Sequence, residues 1–119
     1  MRHHDDLEFP AGDDWEIDGT LLAADGSPLD VSNTDMYQLG WTLLDPNGET
    51  VADLTDFATL ERTNPVAGEI TVTVSSSLTR TFRPGRYTDA VRVWVNNTAA
   101  LMWQGTILCA VDPFNPGSV

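Results

Sequence analysis

The feature that most constrains this chain is a period of two. Apolar residues recur at alternate positions in short runs, and each run is closed by a cluster of turn-forming residues. Ile70, Val72 and Val74 alternate with Glu69, Thr71 and Thr73, as the two faces of a half-buried strand require. Trp15, Ile17 and Leu21 alternate with Glu16, Asp18 and Thr20. Tyr37, Leu39, Trp41 and Leu43 alternate with Gln38, Gly40 and Thr42. Further strands are expected around Thr50–Ala52 and Phe57–Leu60, with Tyr87, Val91, Val93 and Val95 on one face of a long strand and Thr88, Ala90, Arg92 and Trp94 on the other. The last is expected from Leu101 to Val111. No apolar repeat is sustained at helical spacing, so helices are excluded as the main elements.

The punctuation fits hairpins. Asp45-Pro46-Asn47-Gly48 presets φ at the proline and tolerates positive φ at Asn-Gly. Similar signals stand at Ala24–Pro28, Asn64–Gly68 and Asn96-Asn97, and Ser75–Arg80 reads as a crossing loop with one helical turn. Seven to eight short strands in 119 residues predict a single all-β domain, an antiparallel sandwich of immunoglobulin-like architecture. Residues 9–112 are assigned to it. Residues 1–8 are expected to be a flexible acidic N-terminus, and 113–119 a C-terminal tail.

Charge narrows the partners. Eighteen acidic side chains face six arginines and no lysine, a net charge of −12. Such a surface excludes nucleic acid and anionic membrane, which need clustered cations. The balance is lopsided: residues 1–61 hold one arginine against fifteen acids, and residues 62–119 hold five against three. A bipolar domain is one consequence, with the acidic part of one subunit meeting the arginine-bearing part of the next.

Catalytic chemistry finds little support. The only histidines are His3 and His4, in a terminus expected to fray, so a Ser-His-Asp or Cys-His arrangement would need that tail to fold back over a site. For the same reason no metal or cofactor is expected. Cys109, the only cysteine, falls on the apolar face of the last strand and reads as a core residue; with no partner it excludes an internal disulfide and argues against an oxidising compartment. The stretch Met1–Asp6 lacks the apolar segment of a signal peptide. Asp25, Asp30 and Asp45 offer oxygen ligands for calcium on loops, but not at a known spacing.

The order of the turn and strand signals resembles a known family. Phe9-Pro10-Ala11-Gly12-Asp13, Asp25-Gly26-Ser27-Pro28-Leu29-Asp30, Ala67-Gly68-Glu69-Ile70-Thr71-Val72, Pro84-Gly85-Arg86-Tyr87 and Gln104-Gly105-Thr106-Ile107 follow one another as in the N-terminal immunoglobulin-like domain of phage baseplate upper proteins and in related tail and neck proteins. The resemblance implies a non-catalytic virion structural protein, assembled in the host cytoplasm, that forms a homo-oligomeric ring and docks onto other phage structural proteins. The alternative is a carbohydrate- or receptor-binding module that stacks sugars on Trp94. For assembly the candidate interface residues are Arg80, Arg83, Arg86, Arg92 and Trp94, because exposed arginine and tryptophan anchor interfaces.

Overall fold

Turns set the strand boundaries in the computed structural model, which describes residues 1–111. Asp45 Oδ1 accepts the backbone N–H groups of Asn47 and Glu49 at 2.9 and 3.0 Å, and Gly48 supplies the positive φ of 83°. Asn96 and Asn97 both adopt positive φ, 49° and 69°, the geometry of a tight hairpin whose twist matches its strands. Asp112 and the expected tail over 113–119 lie outside the described residues.

Eight strands result among the described residues: β1 (Leu7–Pro10), β2 (Trp15–Thr20), β3 (Tyr37–Leu44), β4 (Thr50–Asp53), β5 (Ala58–Asn64), β6 (Glu69–Val74), β7 (Gly85–Val95) and β8 (Thr98–Ala110). Two short helical turns join them, a 3-10 turn at Pro65–Ala67 and α1 (Ser76–Thr79), which is capped by Ser75, whose hydroxyl accepts from the Ser77 N–H. The strands form a five-stranded sheet in the order β1-β8-β7-β3-β4 and a three-stranded sheet in the order β2-β6-β5. Every pairing is antiparallel except β1 with β8. The expected sandwich is present.

Alternation decides what each sheet buries. Trp15 and Ile17 of β2 and Ile70, Val72 and Val74 of β6 face Trp41, Leu43, Tyr87, Val91, Val93, Trp103 and Ile107 of the larger sheet, and all are buried. Trp15 is the hub of the aromatic packing, with Phe9, Phe82 and Tyr87 rings at 5.4, 5.3 and 6.4 Å, and its indole N–H reaches the Pro10 carbonyl. The Tyr87 hydroxyl donates to the Arg83 carbonyl at 2.8 Å, four residues upstream, the tyrosine-corner contact of such sandwiches. Cys109 lies in the same core, and burial pushes its thiol up to about 11.

The elements differ from expectation mainly at the start. β1 pairs in parallel with β8, Leu7 opposite Ile107 and Pro10 opposite Ala110. Residues 1–8 are therefore not a free tail. β5 begins at Ala58 and runs on to Asn64, leaving Phe57 54% exposed.

Candidate functional site

Asp89 lies on the inward side of β7, between Tyr87 and Val91, and its side chain is 0% exposed. An acid at such a position demands donors, since an unpaired buried carboxylate costs several kcal/mol. The opposing residue on β8 is Gly105, also facing inward. Together they leave a recess in the row of core side chains.

The N-terminus fills that recess. The Gln104 N–H donates to the Met1 carbonyl at 2.8 Å, and the Thr20 N–H to the His3 carbonyl at 2.8 Å, so this segment bonds β8 of one sheet and β2 of the other. His3 Nε2 stands 2.7 Å from Asp89 Oδ2 and His4 Nε2 2.7 Å from Asp89 Oδ1. The Trp41 indole N–H donates to Oδ2 at 3.1 Å. The frayed terminus expected from the sequence is thus corrected: a buried carboxylate holds both histidines, and an exposed Arg2–Asp6 pair at 2.6 Å brackets them.

Two strand glycines make the insertion possible. A Cβ on Gly105 would stand 2.2 Å from His4 Cε1, and one on Gly19 would stand 3.0 Å from His3 Cδ2. Gly105→Ala is therefore expected to cost about 1–3 kcal/mol by overpacking, read as a lower urea midpoint. A wild-type midpoint in that variant would mean that the ring does not occupy the recess.

Proton positions follow from the partners. His4 Nδ1 lies 2.6 Å from the Asp5 carbonyl and Nε2 lies 2.7 Å from the Asp89 carboxylate. Both partners accept only, so both ring nitrogens carry hydrogen and His4 is an imidazolium. Burial opposes that charge, but the hydrogen bond and the charge of Asp89 outweigh it and raise the His4 pKa. Burial likewise opposes ionisation of Asp89, yet the hydrogen bonds from His3 and His4 hold its pKa down at about 2. His3 donates through Nε2, and its buried Nδ1 has no partner among the described residues.

The expected contact residues lie elsewhere, in two groups. Arg80, Arg83 and Arg86 are exposed around the α1–β7 connection and the start of β7. Arg92 and Trp94 share the outer face of β7 with Arg86, Arg92 being six residues further on, about 20 Å along the strand. Trp94 is half-buried because its ring lies over Gly40, where a Cβ would meet it at 2.7 Å. Arg92 reaches Met102 Sδ at 3.5 Å, and Met102 is 40% exposed. The three central strands β3, β7 and β8 contain one acid, Asp89, and it points inward. Their outer face therefore presents arginine, tryptophan, methionine and Leu108 with no carboxylate. The other sheet is the converse: Glu16, Asp18, Glu61 and Glu69 are exposed, with Asp18 and Glu61 both in register with Thr71.

The loop acids are turn formers. Asp25 Oδ1 accepts from the Ser27 N–H and hydroxyl, and Asp30 Oδ1 from the Ser32 N–H; those bonds lower both pKa values.

No family model matches the chain, and no curated protein matches it. Solved structures do. CopC from Methylosinus trichosporium OB3b is similar at a TM-score of 0.53 and 12% identity, over 91% of this chain and 86% of that one. The NK cell receptor Nkp44 is similar at a TM-score of 0.53 and 16% identity, over 89% of this chain and 97% of that one. At such identities the likeness is one of fold, and with the two-sheet topology it makes the domain an immunoglobulin-like β-sandwich.

Proposed function

We propose that this domain is a non-catalytic assembly module that joins its neighbours through the outer face of β3, β7 and β8. The observation that carries the proposal is the segregation of charge between the three central strands of the larger sheet and the outer face of the smaller one. A chain with 18 acids and six arginines has no carboxylate in β3, β7 or β8 other than the inward Asp89, with Glu8 and Asp53 on the flanking strands β1 and β4, while four cluster on the outer face of the smaller sheet. A like-charged copy would repel itself if the charge were spread evenly. Segregation instead lets the arginine face of one copy meet the acidic face of the next, a heterologous contact that closes into a ring or propagates. The virion setting, with other phage structural proteins as neighbours, rests on the sequence resemblance.

Light scattering at low and high salt tests the contact. The wild type is expected to associate at low salt and disperse as screening increases. Trp94→Ala and Arg92→Glu are each expected to weaken association about 30-fold or more; Arg92→Glu should unfold at the wild-type urea midpoint, and Trp94→Ala at a lower one because its ring packs over Gly40. A strict monomer at millimolar concentration, alone and with candidate virion proteins, would sink the proposal. Loss of a glycan-array signal in Trp94→Ala with assembly intact would favour the carbohydrate-binding alternative.

A further inference from the structure

We propose that His3, His4 and Asp89 bind one divalent transition-metal cation, with Zn2+ as the simplest occupant. The three ligand atoms lie within 4.8 Å of one another, contributed by an N-terminal segment and a strand that meet only in the folded domain. Two imidazoles and a carboxylate are the donor set that borderline cations such as Zn2+ prefer.

The surroundings suit the same role. The Asp5 carbonyl holds the far nitrogen of His4 at 2.6 Å, the outer hydrogen bond that aims Nε2 of a ligating histidine at its metal. The Trp41 N–H does the equivalent for Asp89 through Oδ2. Access comes through a groove of about 630 Å3 lined by both histidines and by Asp5, Glu16, Asp18 and Glu69. These four carboxylates attract a cation to the mouth of the site. Three protein ligands leave the fourth tetrahedral position to water.

The protons balance. Metal–nitrogen bonds of about 2.0–2.1 Å require Nε2 of both rings to be free of hydrogen and the rings to retreat by roughly half an ångström. His4 begins as an imidazolium, so it releases one proton to solvent and keeps the other on the Asp5 carbonyl. His3 moves its proton from Nε2 to Nδ1, the buried nitrogen that no described group engages. One proton therefore leaves for each cation bound.

The test uses the full, untagged chain after chelator treatment, titrated with ZnCl2 by calorimetry and by NMR. The chain has only two histidines, so their ring signals report the site without any variant. The expected result is saturation at one Zn2+ per chain, release of one proton, displacement of both histidine ring signals and a higher melting temperature. His4→Gln, which retains hydrogen-bonding capacity, is expected to weaken binding about 100-fold or more. Histidine signals that do not move with Zn2+ would overturn the proposal and leave the cluster as a hydrogen-bonded lock. Equal Zn2+ affinity in wild type and His4→Gln would also overturn it, by assigning the ion to surface carboxylates.

Discussion

Asp89→Ala is expected to destabilise the domain by about 3–5 kcal/mol in the presence of chelator. The alanine removes the acceptor for three donors at once: the His3 and His4 Nε2–H groups and the Trp41 indole N–H. It also leaves the His4 imidazolium almost fully enclosed, its side chain 3% exposed, with no counter-charge. Breaking a buried pair from one side is costly for that reason, even where the intact pair contributes little net stability. For a chain of this size the loss corresponds to roughly 10–20 °C in melting temperature. Urea unfolding monitored by tryptophan fluorescence measures it. A second variant isolates the cause: deletion of residues 1–4 combined with Asp89→Ala should cost less than the sum of the two changes, because they remove the same contacts. Strict additivity, or a loss below about 1 kcal/mol, would mean that the terminus and Asp89 are energetically independent.

Trp15→Ala should be as damaging through a different route. Its indole is fully buried and packs against Phe9, Phe82 and Tyr87, so truncation opens a cavity between the sheets at about 3–5 kcal/mol. The Pro10 carbonyl also loses its donor. Because Pro10 ends β1, hydrogen exchange should show the loss spreading to the β1–β8 ladder. A variant with wild-type protection there would uncouple β1 from the core.

Much of the fold is legible in the sequence because alternation is a local signal. The inward rows Trp15/Ile17, Ile70/Val72/Val74 and Tyr87/Val91/Val93 all read correctly from spacing alone, as does the hairpin at Asn96-Asn97. β1 escapes that logic. Four residues ending in proline show no pattern of their own, and their pairing is supplied by a strand a hundred residues away. The His–Asp cluster is half legible. Asp89 has the same parity as Tyr87 and Val91, so an acid in a core row stands out as an anomaly awaiting donors. Its donors do not, being 86 and 85 residues distant, and the two glycines that admit them look like ordinary strand interruptions. Charge asymmetry between the halves of the chain is also visible. Only the sheet order turns it into two faces, by placing Glu16, Asp18, Glu61 and Glu69 on one sheet.

The parallel pairing of β1 with β8 has a mechanical side. The first and last described strands lie next to each other and run in the same direction, so a pull applied at the start of β1 and the end of β8 drives them past one another. The hydrogen bonds of the ladder then share the load together, rather than opening one at a time as in a peeled hairpin. His3 and His4, anchored on Asp89, stand directly in that line of force ahead of β1. Tension along the domain would therefore be met first by the β1–β8 ladder and the contacts on Asp89.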